Sequence, residues 1–323
     1  MYDLILRGAR VVDPLNGLDA VADVAVENGK IAEVAPTIAG SGREEIDFTG
    51  LVVQPGIIDS HVHLGSIWGS PFGPKMLAMA GVTTCLDMAG PLADVLDNVP
   101  QYGAGINMAI LQYASPPFTF KTSSPSESEM VELIETSLAE GALGVKLLGG
   151  HYPLEPKVSS LLVKTALERR AYVAWHAGTT ENGSNINGMR EAVEMAAGRP
   201  LHLAHINAYC RGAVKPEMEE CAEAEDLLIA NPNILCEAYV SPKNGTRLTC
   251  GPDGKILSKV TGNCLRRFGF SEDREGVRAA LLAQKAFVVY DAGGYSDLMT
   301  GPEALARWEA AGTDVGGSFN VNP

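Results

Sequence analysis

The sequence predicts an α/β fold, a (β/α)8 TIM barrel with a small N-terminal β-sandwich segment. Three observations predict it. The first fifty residues hold short apolar, β-branched runs with no helix-period stretch among them. After Pro55-Gly56 the pattern changes to short apolar runs alternating with longer helical stretches, which is the signature of a parallel sheet wrapped by helices. The chain has 323 residues, of which 46% are hydrophobic, enough for a barrel and an accessory segment and too apolar for global disorder. The expected division is residues 1–54 for the accessory segment and 55–323 for the barrel.

In chain order, Leu4 to Val12 is the first strand candidate. Val21 to Val26 and Ile31 to Val34 flank Asn28-Gly29, a strong hairpin signal because both residues tolerate positive φ. Ile46 to Val53 follows, broken by Gly50. The barrel strands are then expected at Ile57 to His61, Val82 to Asp87, Ile106 to Gln112, Gly144 to Leu148, Tyr172 to His176, Leu201 to His205, Ile234 to Val240 and Ala286 to Asp291. Helices are expected at Ser126 to Ala139, Lys157 to Arg169, Ile186 to Ala197, Pro216 to Ala224 and Arg274 to Ala283. Ser241 to Phe270 has no clean periodicity and reads as a long loop at the carboxyl end of a barrel strand.

Charge removes several function classes. Lys and Arg number 25 against 39 Asp and Glu, a net charge of −14. That argues against nucleic-acid binding and against adhesion to an anionic membrane. No apolar run reaches the roughly 18 residues of a membrane span, and the N-terminus reads as a strand rather than a secretory signal. None of the six cysteines forms a C-x-x-C pair, so the thiols read as reduced and the protein as cytoplasmic.

Six histidines occur in all, and their placement is informative. His61 and His63 close the first barrel strand in PGIIDSHVH. Residues two apart in an extended chain share a side, so both imidazoles can converge on one point while Val62 packs away. Two imidazoles on one face make half a divalent metal site. His176 ends YVAWH and His205 ends LHLAH, both at carboxyl ends of strands, where barrel active sites are built. His202, three residues before His205, is expected on the opposite face, in packing or an outward hydrogen bond. His151 lies in a Gly-Gly-His-Tyr-Pro loop near the mouth, where it either touches substrate or is solvated. Lys146 stands inside the apolar strand Leu143 to Leu148. A buried ammonium needs a partner or must lose its charge. A salt bridge, a catalytic base and a carbamate formed with carbon dioxide all remain open. Arg211, soon after His205, is either a bidentate clamp for a substrate carboxylate or a surface arginine.

Taken together, PGIIDSHVH, Lys146, His176 and His205 resemble the amidohydrolase superfamily, in its branch with a binuclear metal centre and a carboxylated lysine. The N-terminal pattern DLILRGARVVDP…ADVAVENGKIAEV…EEIDFTGLVVQPGIID is similar to that superfamily's accessory β-sandwich. The short separation of His176 and His205, 205 − 176 = 29 residues, is similar to isoaspartyl dipeptidases and D-aminoacylases rather than hydantoinases. The resemblance implies two divalent ions, with zinc the first choice. His61 and His63 would hold the more buried ion, N6-carboxylated Lys146 would bridge, and His176 and His205 would hold the second. A metal-bound hydroxide would cleave the amide of a small N-acyl amino acid or related substrate. EAYVSPKNGT resembles the tyrosine-bearing strand of the D-aminoacylases, which makes Tyr239 a donor to the scissile carbonyl. Cys85, in VTTCLDM, invites comparison with a cysteine ligand of that group, but Lys146 already fills the bridging role and Cys85 reads as core.

Two departures accompany the resemblance. The superfamily expects an aspartate at the end of the eighth strand as general acid/base. Asp291 is the best physical candidate, Asp314 matches the family's wording without a strand before it, and the residue could lie beyond Pro323. The C-terminal helices and strands of the family are also missing, so the sequence resembles a truncated member. A cyclic amidase of the dihydroorotase or hydantoinase kind is the alternative activity, and an inactive homologue is the alternative of another class. The expected partner is a small-molecule amide, with a homo-oligomer left open.

Overall fold

A computed structural model describes residues 1–65, 70–238 and 240–321. The chain divides into two compact units, Met1–Ile57 and Ile58–Pro323.

The first unit is one five-stranded sheet. Strands β1 (Tyr2–Asp13), β2 (Leu18–Glu27), β3 (Lys30–Ala35) and β4 (Gly42–Asp47) lie in the order β3-β2-β1-β4, and β5 (Val52–Val53) pairs with β1. Asn28 and Gly29, at φ 54° and 71°, make the tight turn between β2 and β3 that their types predict. Ala9, Val11, Ala22 and Val24 form one buried patch, with Ile5, Ala25 and Ile38 forming another. Asp23 is buried beside them. It accepts from the backbone N–H of Ile38 (3.0 Å) and Gly8 (2.9 Å) and from the Arg7 guanidinium (2.8 Å). A buried carboxylate is tolerable only when its lone pairs are occupied in this way.

The second unit is built on a seven-stranded sheet in sequential order. Its strands are β6 (Ile57–Val62), β7 (Val82–Asp87), β8 (Asn107–Ala114), β9 (Gly144–Leu148), β10 (Tyr172–His176), β11 (Leu201–Leu203) and β12 (Ile234–Cys236). The registers between β7 and β8 and across β8 to β12 are parallel. Between the strands run α1 (Gly73–Met79), α2 (Leu92–Tyr102), α3 (Glu127–Ala139), α4 (Pro156–Glu168), α5 (Ile186–Ala196) and α6 (Glu217–Ala230). This is the mixed α/β, barrel-type sheet that the alternating pattern predicts, with a separate strand-rich N-terminal region. Local signals set the helix starts. Ser126 caps α3 in a capping box with Glu129, and Asn185 caps α5 by accepting from Asn187 and Gly188. Outward-facing Val145, Leu147, Val173, Trp175 and Leu203 pack under the helices in the main core. Inward-facing Met88, Leu111, Ala174 and Ala204 fill the interior of the curled sheet.

The eighth expected strand is a correction. β14 (Ala286–Asp291) does not extend the parallel sheet. It pairs antiparallel with β15 (Ser296–Met299) and β16 (Gly316–Asn320), in a four-stranded sheet whose other edge is β13 (Lys243–Arg247). The reason is local. Gly293 and Gly294 take φ of 87° and 91°, and this Gly-Gly turn folds the chain straight back into a hairpin, which makes antiparallel neighbours. Helices α7 (Lys259–Arg267), α8 (Arg274–Leu282) and α9 (Gly301–Ala310) enclose a second core around Leu265, Leu281, Trp308 and Phe319. The stretch read as a long loop, Ser241 to Phe270, thus carries β13 and α7.

Candidate metal centre

Four of the six histidines gather at the carboxyl ends of β6, β10 and β11. Ring centroids of His63 and His61 lie 5.1 Å apart, those of His61 and His205 5.1 Å, and those of His205 and His176 4.3 Å. His151, in the loop after β9, extends the chain of rings at 5.6 Å from His176. His176 and His205 are buried, and the His61 side chain is 6% exposed. Burial is the largest effect on each imidazole. With the neighbouring rings and Lys146 adding to it, burial pushes His63, His176 and His205 well below the usual histidine value, and His61 below it too. They are therefore neutral near pH 7, the form in which imidazole binds a metal.

Each ring arrives by a local device. His61 and His63 use strand alternation, with Val62 packed on the far side against Leu64 and Cys85. His176 is the last residue of β10, and its Nε2 meets Ser184 Oγ at 2.7 Å. Gly150 leaves that ring its room, because a Cβ there would stand 1.9 Å from His176 Nε2. His205 follows β11 in a left-handed conformation, φ 42° and ψ 75°. This break overturns the expectation for His202. Strand alternation stops before His205, so both residues face the interior. His202 is buried and hydrogen-bonds to the Tyr172 hydroxyl and to Glu237, both at 2.8 Å.

Lys146 is fully enclosed in β9, with its Nζ 3.2 Å from Met88 Sδ. Burial drives its pKa down to about 7, although Glu237 and Asp87 pull the other way. The neutral amine is thus accessible near neutral pH, and the hydrogen-bond contact of Nζ is a thioether. The salt-bridge reading of this residue is not what the geometry shows.

Glu237 was not singled out from the sequence. It stands one residue past β12, and its carboxylate joins His61 Nδ1 to His202 Nε2. Burial alone would raise its pKa, but the two imidazole hydrogen bonds and the rings beside it hold the carboxyl far below the usual range. An acidic residue at the end of a short apolar strand was the available signal.

The remaining expected residues divide. His151 is half-buried: its Nδ1 meets Ser258 Oγ at 3.0 Å, and burial, aided by Arg211 and Lys146, pushes its pKa to about 4. Arg211 donates to Asn244 Oδ1 (2.9 Å) and lines a cavity of about 670 Å3 that also borders Gly149, Gly150, Ser184 and Lys259. Cys85 is core, with burial raising its thiol to about 11. Tyr239 lies outside the described residues. Asp291 is a correction. It is exposed at the hairpin turn, where its carboxylate accepts from the N–H of Gly293 (2.9 Å) and Gly294 (3.0 Å), and the sheet that carries it is not the one that carries the histidines. Asp314 pairs with Arg247 and Thr249 instead.

No family model matches the chain. A dihydroorotase of Streptococcus pneumoniae is 32% identical over 205 residues, which are 62% of this chain and 47% of that protein. An allantoinase of Rubrobacter xylanophilus is 46% identical over 92 residues, 27% of this chain and 20% of that protein. A crystal structure of D-aminoacylase, described as defining a subset of amidohydrolases, superposes with a TM-score of 0.64 at 19% identity, over 100% of this chain and 72% of that one. In sequence and in fold the chain resembles the amidohydrolase superfamily. It spans about half the length, or less, of these two curated relatives.

The resemblance implies a metal, and the donor set fits one. Four neutral imidazoles in mutual contact, an ionised carboxylate behind one of them and an enclosed lysine make a site rich in donors, with Arg211 and Lys146 as the nearby cations. Among the described residues, no group of three or more His, Cys, Asp or Glu side chains is arranged to hold an ion as it stands. The hydrogen bonds explain this: His176 Nε2 is engaged by Ser184, and His61 Nε2 faces His63 Nε2 at 3.3 Å. Uptake of an ion would exchange these contacts for coordination.

Proposed function

We propose that this protein is a metal-dependent hydrolase of the amide bond in a small carboxylate-bearing substrate. The observation that carries the reading is the run of buried, neutral histidines His63, His61, His205 and His176 around Lys146. His61 and His63 would hold one divalent ion and His176 and His205 another, with zinc the metal best suited to these ligands. When bound, such ions supply Lewis acidity at the carbonyl and a nucleophile from water.

The chain's own residues do the rest. Lys146 would supply the anionic bridge: its neutral Nζ attacks carbon dioxide, a nitrogen–carbon bond forms, and one proton leaves to solvent. Met88 and the apolar strand keep water from solvating the ammonium that competes with this product. Arg211 would bind the substrate carboxylate from the cavity wall, and His151, held by Ser258, would close the side next to His176. Tyr239 would donate to the developing oxyanion, as its place two residues after Glu237 allows.

A cyclic amide comes first as substrate, because the curated relatives at 32% and 46% identity are named for cyclic amides. An N-acyl amino acid comes second, on the 29-residue separation of His176 and His205. Zinc-loaded protein should be offered dihydroorotate, allantoin and N-acetyl-D- and N-acetyl-L-amino acids. Turnover of one, abolished by His176→Ala, supports the reading. Failure on all of them by protein holding its metal would contradict it.

A further inference from the structure

The side chain that the sequence did not mark has a place in a directed hydrogen-bond chain. Tyr172 stands on β10, His202 on the adjacent β11, and Glu237 just beyond β12, which pairs with β11 at Leu203 and Cys236. The links are Tyr172 Oη to His202 Nδ1 (2.8 Å), His202 Nε2 to Glu237 Oε2 (2.8 Å), and Glu237 Oε1 to His61 Nδ1. An ionised carboxylate only accepts. So His202 Nε2 carries a hydrogen, and in neutral His202 the Nδ1 lone pair takes the Tyr172 hydroxyl. So, too, His61 Nδ1 carries a hydrogen, and His61 Nε2 keeps its lone pair. That nitrogen is the one that faces His63.

We propose that Glu237, anchored by His202 and Tyr172, is the positioning residue of His61, fixing it as the Nδ1–H tautomer with its Nε2 lone pair turned to the candidate metal centre. The proposal rests on the metal-site reading above for its purpose, though not for its geometry. An unconstrained neutral imidazole favours the Nε2–H form, which would put a hydrogen where an ion must bind. A carboxylate behind a metal-binding histidine removes that competition and stiffens the ring. Glu237 is poorly suited to any role as a proton shuttle. Two imidazole donors already occupy its oxygens. The remote anchor accounts for polar His202 and Tyr172 beside the apolar cluster of Met88, Leu111, Ala174 and Ala204.

Two measurements test it. The first is nitrogen-15 NMR of histidine-labelled, metal-free wild-type protein at about pH 8, a pH above the ordinary histidine range. His61 should show a protonated Nδ1 and a bare Nε2, and His202 the reverse. A protonated Nε2 at His61 overturns the proposal whether or not the protein binds metal. The second is zinc affinity by chelator competition for wild type, Glu237→Gln, His61→Ala and the double variant. Glu237→Gln should bind about 10- to 100-fold more weakly, the range for loss of such a partner. The double variant should bind no more weakly than His61→Ala, because Glu237 acts through His61. Losses that multiply would assign Glu237 a separate structural role and overturn the proposal. A wild type that takes no zinc yet shows the Nδ1–H tautomer would remove the metal-site reading and leave the positioning role standing.

Discussion

Lys146 decides the chemistry at the scale of one residue. In the proposed chemistry its pKa of about 7 and its thioether contact would let it exchange its proton for a carboxyl group, which divalent ions would hold. Lys146→Ala should lose metal and turnover together, and a short carboxylic acid added to that variant should restore part of both. Lys146→Arg should not be rescued, because it keeps a fixed charge. Mass analysis of the gently handled protein checks the modification itself: a mass increase equal to one carbon dioxide is expected, and it should vanish in Lys146→Ala. In the N-terminal unit, Asp23 plays the opposite part, as a buried carboxylate kept charged. Its backbone hydrogen bond from Ile38 is the largest influence lowering its pKa, with Arg7 and Gly8 assisting against burial. Asp23→Asn should cost about 2–3 kcal/mol, read from the denaturant midpoint, because it leaves the half-buried Arg7 with a weaker partner.

At the scale of elements, caps and glycines place the site. Ser126→Ala removes the side-chain half of the α3 capping box, the bond from the Glu129 N–H to Ser126 Oγ, and should cost about 1 kcal/mol by equilibrium unfolding, with no effect on metal content. Gly150→Ala should do the converse. Its Cβ collides with the His176 ring, so metal binding at His176 should fall more than stability does. Most of the elements were legible because hydrophobic period and turn chemistry agree. Pro-Gly before Ile57, Asn28-Gly29 and the β-branched runs each have one reading. Where the reading missed, a single backbone feature outweighed the pattern. Gly293-Gly294 turned the eighth strand into a hairpin, and the left-handed His205 turned inward beside His202 instead of facing the opposite side. Glu237 escaped notice because its importance lies in partners 35 and 176 residues away in sequence, a distance that strand periodicity does not span.

For the molecule as a whole, the buried histidines set the response to acid. His63, His176 and His205 titrate in the folded state below their unfolded value of about 6.5. As pH falls through that value the unfolded chain takes up protons that the folded one refuses. The histidines' contribution to stability is therefore full above about pH 6.5 and is lost as pH drops below it, by up to about 1.4 kcal/mol per pH unit for each histidine. Lys146 adds a second window for metal-free, unmodified protein. Its folded pKa of about 7 lies under the unfolded value of 10.5, so stability rises with pH between the two. Thermal midpoints of chelator-treated protein from pH 5 to pH 9 should climb throughout, and zinc should lift the whole curve by mass action. A flat profile would mean that these rings are solvated.

Elemental analysis of protein purified without chelator, beside the His61→Ala, His176→Ala and His205→Ala variants, bears on all of this at once. About one to two equivalents of a divalent metal are expected in the wild type, with less in each variant while circular dichroism stays unchanged. Wild-type protein that remains folded and free of metal after zinc supplementation would contradict the metal centre, and with it the hydrolytic chemistry proposed for the site.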